Sequence, residues 1–361
     1  MQTNSVWGWP RQSCEVWVPR TRRYRLPLKT CELSIEQASE IAHPYLSQHL
    51  ESTTYDRIDY FYNIIKSFRN DPKPFPIKPK HLRMSAKIDL AKNSAGLPGG
   101  NCIFLTSRLN AQLPEILQPN IVKSRILKKH QQKGFPSFCH SATLIKCQDG
   151  CLLLDSGYGI ARPIQLKPNG ASDAYHMGPY TWTYRLNRRH SKIIWEVYSQ
   201  EGKLVESTFY SIKYANCSRQ LHNDISTAIV YDGKPICVFR DQDGRKTAHV
   251  KVDLWKKEIT ITPLWKNLPP SQISFQELAA LPWERKVAHL NQYIDLEFCQ
   301  RVQLDQEKFT RMVACIVDND DFIEQRILTT ARQSSLSRYA DRWVCSPWEW
   351  FDLSPSKLQA S

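Results

Sequence analysis

The feature that most constrains the fold is a long stretch of short alternating runs, from residue 140 to about residue 264. Apolar and polar residues alternate clearly at 193–198 and 248–254, and Asp232-Gly233 is one of the turns between runs. Alternation with a period of two is typical of strands with one buried face, and Asp-Gly pairs are typical of hairpin turns. The sequence therefore predicts a mainly antiparallel β structure in the middle of the chain.

Helical patterns flank this stretch on both sides. Residues 34–37 read Ser-Ile-Glu-Gln, a capping box that predicts the start of a helix, and residues 55–68 carry their apolar side chains on one stripe. Helical spacing returns after Pro282 and includes residues 309–327. We therefore expect an α+β fold with an N-terminal helical bundle, a central antiparallel β-barrel or sheet and a C-terminal α/β lid.

The chain of 361 residues is long enough to bury a sizeable core and to form several units. A proline-rich stretch at 71–79 ends the first helical segment. We predict five units: an N-terminal extension (1–33), a helical domain (34–118), a β-rich domain (119–220), an α/β lid-like domain (221–300) and a C-terminal helical extension (301–361).

Cys102 is the candidate nucleophile. Gly99 and Gly100 permit a tight turn before it, and residues 102–113 predict a helix that ends at Pro114. Cys102 would then lie in the first helical turn, where the helix dipole favours a thiolate. Free backbone N–H groups at this helix start can receive an oxyanion, so we assign Gly99, Gly100 and Asn101 to the turn beside it.

His140 and Asp155 follow Cys102 at separations of 38 (140 − 102) and 15 (155 − 140) residues. An imidazole can take the proton of a thiol, while a carboxylate on its other nitrogen fixes the tautomer. The order nucleophile, base and orienting carboxylate therefore predicts a Cys-His-Asp triad. Among the other histidines, His176 and His222 remain alternative bases, and Asp155 by itself is also suited to capping the loop that follows it.

A predicted hairpin brings the base and the carboxylate together. Residues 140–147 and 151–155 read as its two strands. A turn centred on Asp149-Gly150 would place Asp155 opposite Leu144, whereas direct opposition to His140 requires a centre between residues 147 and 148. The sequence therefore predicts a longer loop or a bulge if the two side chains face each other directly.

These motifs resemble the arylamine N-acetyltransferase family, which belongs to the papain-like and transglutaminase-like cysteine superfamily. Residues 99–102 match the family's glycine-glycine-x-cysteine, His140 starts a strand, and residues 155–159 match its aspartate-x-glycine-aromatic-glycine. Both triad separations also match. The resemblance implies that the triad lies at the junction of the helical and β domains. It also implies ping-pong transfer, in which Cys102 takes an acyl group from a thioester such as acetyl-CoA and delivers it to an amine.

The chain departs from the family pattern at two places. Pro98 stands where the family has an arginine, and the family's N-terminal proline-phenylalanine-glutamate-asparagine element has no clear counterpart near residues 73–76. These departures favour a divergent member with a specialised acceptor. An amide-forming acyltransferase of natural-product biosynthesis, in secondary metabolism, is one such enzyme.

The charge of the chain bears on the acyl donor. The formal net charge is +14, which favours polyanions such as the phosphates of CoA. Lys128 and Lys129 belong to a basic cluster between the predicted nucleophile and base, and we predict that they bind the donor together with Gly157 and Tyr158. A solvated surface is the commoner meaning of such a cluster.

Cysteine usage and hydropathy indicate the compartment. The 11 cysteines are odd in number and widely spread, no apolar run approaches the ~20 residues that span a bilayer, and residues 1–10 lack a signal-peptide pattern. We expect a cytoplasmic protein. We also expect no metal, since Cys147 and Cys151 lack further ligands at zinc spacing. We likewise expect no permanently bound cofactor and no nucleic-acid or membrane partner.

Three functions fit these observations. The first is an acyltransferase that moves an acyl group from acyl-CoA or a carrier-bound thioester through Cys102 to a small-molecule amine. The second is a transglutaminase, deamidase or cysteine protease that acts on protein amides with the same triad. The third is a non-enzymatic binding protein that retains the fold.

Overall fold

The computed structural model describes residues 26–69, 95–126, 140–168, 170, 174–177, 180–215, 233–241, 245–266 and 268–329. Within them the helices are α1 (Ile35–Glu51), α2 (Ile58–Phe68), α3 (Cys102–Gln112), α4 (Phe275–Ala279), α5 (Trp283–Tyr293), α6 (Leu296–Arg301), α7 (Gln306–Asp318) and α8 (Asp320–Ile323). A π-helical turn, Glu324–Leu328, follows α8. No helix in this part of the chain is both long and apolar enough to cross a membrane.

The strands form two sheets. They are β1 (Thr54–Asp56), β2 (Gly99–Gly100), β3 (Asn120–Ile126), β4 (Ser141–Lys146), β5 (Cys151–Leu154), β6 (Ile164–Leu166), β7 (Tyr175–Met177), β8 (Tyr180–Leu186), β9 (Lys192–Tyr198), β10 (Leu204–Ser211), β11 (Ile236–Arg240), β12 (Lys246–Asp253), β13 (Glu258–Pro263) and β14 (Ser271–Ser274). This mixture of helices and sheets confirms the predicted α+β class.

The larger sheet has eight strands in the order β6-β5-β4-β3-β10-β9-β8-β7. Each described neighbour pair is antiparallel. The sheet curls, because β6 near one edge also contacts β8 near the other. The central antiparallel sheet expected from the alternating runs is therefore present as a half-barrel.

The smaller sheet has six strands in the order β14-β13-β12-β11-β1-β2. Its β1 and β2 are parallel, and the other neighbours are antiparallel. The sheet thus combines strands from the predicted helical domain, 34–118, with strands from the predicted lid-like domain, 221–300. The five-unit division of the chain stays a prediction, and this sheet joins two of the proposed units.

Both faces of the β4–β5 hairpin are buried, and they face different neighbours. Ile145, Leu152 and Leu154 pack with α1 in one apolar cluster, whereas Leu144 and Leu153 belong to the larger central core. Fully burying such a side chain contributes about 1.5–3 kcal/mol. Because side chains alternate along a strand, the positions on the central-core face have even numbers in β4 and odd numbers in β5.

Two helices predicted from the sequence differ from the structure, one at its start and the other in its interior. Residues 54–56 form β1 instead of the start of a helix, because Tyr55 and Asp56 pair with β11. The carboxylate of Asp56 then accepts the N–H groups of Ile58 and Asp59 at 2.8 and 3.0 Å and starts α2. The predicted helix over 309–327 is interrupted at Asn319, where α7 ends before α8 begins.

Asp59 makes the stability of the fold depend on pH. It is 1% exposed, and its Oδ2 has no hydrogen-bond partner among the described residues. Burial, and then the charge of Asp56, raises the pKa of Asp59 from 3.8 to about 8. Between about pH 4 and pH 8 the folded chain retains a proton that the unfolded chain has released, so the free energy of unfolding falls as pH rises.

We therefore expect Asp59→Asn to raise the free energy of unfolding by about 2 kcal/mol near pH 8.5 and to change it little near pH 4. Urea denaturation at the two pH values measures this difference. Asp321→Asn, which removes a carboxylate from an exposed site, is the control and should show no such pH dependence. An equal effect of Asp59→Asn at both pH values would contradict the assignment.

Candidate active site

The candidate nucleophile lies at the start of α3. Asn101 is the N-cap, and its side-chain oxygen accepts the N–H groups of Ile103 and Phe104 at 3.0 and 3.1 Å. This cap does not use the N–H of Cys102, the first residue of the helix. The Cys102 side chain is buried at 5% exposure. The sequence placed Cys102 in the first helical turn, and the helix begins there.

The glycine pair before Cys102 differs from its predicted form. Gly99 and Gly100 form the strand β2 beside β1 instead of a tight turn. A Cβ added at Gly99 would lie 2.7 Å from the Cβ of Asp56, and one added at Gly100 would lie 2.6 Å from the ring of Phe104. Glycine is therefore required here because other groups approach the backbone closely.

The strand register of the β4–β5 hairpin lies midway between the two registers that were considered from the sequence. Lys146 pairs with Cys151 and Thr143 with Leu154, so the turn is centred between residues 148 and 149. Continuing this register places Asp155 opposite Ala142, one pleat repeat from His140. The two residues lie just beyond the paired ends of the strands, since β4 starts at Ser141 and β5 ends at Leu154.

His140 and Asp155 nevertheless touch. Nε2 of His140 lies 2.7 Å from Oδ1 of Asp155, and the two residues are 3% and 0% exposed. The alternation along the strands explains the contact, because both residues continue the central-core face of the hairpin. A diagonal pair on one face is within reach of a side chain as long as histidine, so no bulge is needed.

Asp155 is held by two further donors. The hydroxyl of Tyr210 on β10 donates to Oδ2 at 2.9 Å, and the backbone N–H of Tyr158 donates to Oδ1 at 3.1 Å. Burial, and then the charge of Asp155, raises the pKa of Tyr210 well above its ordinary value, so the hydroxyl keeps its proton and donates. Sequence reasoning missed Tyr210, whose only signal is an inward position in an alternating strand 55 residues away.

The electrostatics favour a protonated imidazole. Burial by itself lowers the pKa of His140, but the charge and hydrogen bond of Asp155, together with a hydrogen bond to Cys102, outweigh it and raise the pKa to about 10. An opposite charge within hydrogen-bond distance has this effect in a buried site, where solvent screens it little. His140 and Asp155 therefore form one directly contacting pair.

Tyr158 supports the imidazole from one face. Its ring stacks on that of His140 with centroids 3.8 Å apart, and it stacks in turn on Trp195 at 5.1 Å. Tyr158 is 3% exposed. The sequence assigned Tyr158 to donor binding, which stays a prediction, and the described contacts of its ring are with His140 and neighbouring aromatic rings.

Gly157 lies against both reacting residues. A Cβ at this position would be 2.5 Å from Cε1 of His140 and 3.0 Å from the Cβ of Cys102. The Gly157 carbonyl accepts a hydrogen bond of 3.2 Å from Nη2 of Arg240, on β11. The turn after β5 thus contacts the nucleophile, the base and the smaller sheet.

The nucleophile helix is tied to the strand after His140. The hydroxyl of Thr106, one turn after Cys102, donates to the carbonyl of Ser141 at 3.0 Å. On its other side the His140 carbonyl accepts the N–H of Ser124 on β3 at 2.8 Å. These bonds fix the separation of Cys102 and His140 through the backbone as well as through the side chains.

Four further residues were considered for the site, and one of them, His176, lies in the described part of the chain. Lys128, Lys129 and His222 lie outside the described residues. His176 is exposed on β7, and its Nδ1 lies 3.3 Å from the Thr181 hydroxyl. Among the described residues no group of three or more histidine, cysteine, aspartate or glutamate side chains is placed to hold a metal ion.

Comparison with known proteins finds similar chains among solved structures. No family model matches the chain, and no curated protein matches its sequence.

Solved arylamine N-acetyltransferases are similar to it. That of M. smegmatis has 15% identity and a TM-score of 0.41, with 81% of this chain and 93% of that chain covered. That of Mycobacterium abscessus has 11% identity and a TM-score of 0.43, with 79% and 89% covered. That of Bacillus cereus, described as having a unique Cys-His-Glu catalytic triad, has 15% identity and a TM-score of 0.37, with 67% and 87% covered. All three similarities are at low sequence identity.

Proposed function

We propose that this protein is an acyltransferase that moves an acyl group from a thioester through Cys102 to a small-molecule amine, forming an amide. The observation that carries the proposal is the buried His140, which contacts the carboxylate of Asp155 at 2.7 Å and borders Gly157 together with Cys102. A thiol, an imidazole and a carboxylate in this order form a catalytic triad for acyl transfer.

In the first half-reaction the Cys102 thiolate attacks the carbonyl carbon of acyl-CoA or a carrier-bound thioester. Because Nε2 of His140 is engaged by Asp155, Nδ1 is the nitrogen that serves Cys102. The new sulfur–carbon bond forms as the carbonyl double bond opens to an oxyanion, and the donor's carbon–sulfur bond breaks when this tetrahedral intermediate collapses. The imidazolium then gives its proton to the departing thiolate, and the products are an acyl-enzyme and a free thiol.

The tetrahedral intermediate carries an oxyanion that needs hydrogen-bond donors. We assign the N–H of Cys102 to this role, together with an N–H from the segment near His140. The Asn101 side chain accepts the N–H groups of the two residues that follow Cys102, and it does not accept the N–H of Cys102 itself. A donor at a helix N-terminus is well placed for a developing negative charge.

In the second half-reaction an amine attacks the acyl-enzyme. His140 accepts a proton from the amine nitrogen as the new carbon–nitrogen bond forms, and the Cys102 thiolate leaves. Asp155 stabilises the imidazolium throughout, and Tyr210 and the N–H of Tyr158 keep its carboxylate in place. Donor binding by Gly157, Tyr158, Lys128 and Lys129 completes the proposal.

Acylation of Cys102 is the direct test of this function. We expect incubation with acetyl-CoA, or with a panel of longer acyl-CoA and carrier-bound thioesters, to add one acyl group per chain, measured by intact mass spectrometry. Cys102→Ala should lose the adduct completely, because no other group in the site supplies the nucleophile. An added amine should then remove the adduct from the parent protein and yield the amide.

The control is Cys315→Ala, which removes a half-buried cysteine of α7 and should leave the adduct intact. Release of ammonia or cleavage of protein substrates, without an adduct from any thioester, would instead identify a transglutaminase, deamidase or protease. Failure of Cys102 to react with thioesters and with alkylating reagents alike would point to a binding protein.

A further inference from the structure

Arg240 lies against the turn that follows β5, and the Cys-His-Asp assignment does not use it. Its Nη2 donates to the carbonyl of Gly157 at 3.2 Å. A Cβ added at Gly159, which has a φ of +70°, would lie 2.1 Å from Nε of Arg240. The guanidinium therefore packs directly on the backbone of this turn.

The turn controls the distances within the candidate active site. It begins at Asp155, and its N–H at Tyr158 donates back to the Asp155 carboxylate. Gly157 in this turn lies against both His140 and Cys102, and the space beside its Cα admits a hydrogen atom but no Cβ. A small displacement of the Gly157 carbonyl would therefore change the positions of all three reacting side chains.

Arg240 reaches the turn from the other sheet. It is the last residue of β11 in the six-stranded sheet, whereas the turn extends from β5 of the eight-stranded sheet. The charge of Asp155 also acts favourably on the guanidinium. A hydrogen bond from a charged donor is stronger than a neutral one, and it directs the carbonyl more tightly.

We propose that Arg240 is a positioning residue that clamps the turn over 155–159, and through Gly157 holds Cys102 and His140 at the separation needed for a reactive thiolate. The inference rests on the proposed role of Cys102 as a nucleophile. It adds a residue from the predicted lid-like domain to a site whose other members come from the helical and β-rich domains.

The test is the pH dependence of Cys102 alkylation by iodoacetamide, followed by peptide mass mapping, in the full-length protein. Arg240→Gln keeps a hydrogen-bond donor but removes the positive charge and the planar guanidinium group. We expect it to slow alkylation near pH 6 by about tenfold and to move the midpoint of the profile upward, toward that of an ordinary thiol. Arg240→Lys retains the charge and should recover at least half of the parent rate.

Arg189→Gln, in an exposed turn, is the matched control and should leave the profile unchanged. Circular dichroism and thermal melting report whether each variant is folded. An Arg240→Gln protein that melts earlier but keeps the parent profile would overturn the proposal, since a purely structural role lowers stability without altering the thiolate. Alkylation needs no acyl donor, so a reactive Cys102 that accepts no acyl group would reject the proposed function and leave this inference standing.

Discussion

Asp155→Asn is expected to slow acylation of Cys102 by about 10³-fold while the chain remains folded. The substitution preserves the shape of the side chain and removes its charge. Burial lowers the pKa of His140, and the charge of Asp155 is the largest influence that raises it, so removing the charge should lower this pKa. The imidazolium that stabilises the thiolate is then lost at neutral pH.

Two measurements check this expectation. Single-turnover acylation gives the rate loss, and the rate of iodoacetamide alkylation against pH gives the thiolate profile. Alkylation of Cys102 near pH 6 should be clearly slower in Asp155→Asn than in the parent, because the thiolate loses the imidazolium beside it. Asp321→Asn, on the exposed surface, is the control for loss of one negative charge. Unchanged alkylation at low pH in Asp155→Asn would show that Asp155 only caps its own loop.

Gly157→Ala is expected to lower the acylation rate by about 10²-fold or more, because one methyl group displaces the imidazole. The added Cβ would lie 2.5 Å from Cε1 of His140, well inside van der Waals contact. The ring cannot retreat easily, since Tyr158 stacks on it at 3.8 Å and Asp155 holds Nε2. Displacement must therefore break the contact with Asp155 or that with Cys102.

Gly170→Ala is the matched control. Within the described part of the chain, its added Cβ would have only the Cβ of Lys167 nearby, at 4.0 Å, so we expect no change in rate or stability. Single-turnover acylation and thermal melting of the two variants separate a local effect from unfolding. A Gly157→Ala protein with the parent rate would show that the site adjusts freely around this position.

Much of the site was predictable from local sequence. Cys102 was placed at a helix start, and α3 begins there because the Asn101 side chain accepts free N–H groups of the first turn. The pairing of His140 with Asp155 was expected from a hairpin, and alternation along each strand places both residues on the same face. What local patterns missed was the register, since the centre of the turn depends on how the hairpin packs between two apolar clusters.

The sequence by itself determined the chain order of the candidate residues Cys102, His140 and Asp155, the α+β class and the helix that begins at Cys102. These follow from short-range rules such as capping, alternation and helical spacing. Only the tertiary structure decided which distant residues support the site. Tyr210 and Arg240 reach the turn after β5 from β10 and β11, and Gly99 and Gly100 form a strand because β1 pairs beside them. Such contacts depend on how sheets pack across the chain, and no local pattern encodes that packing.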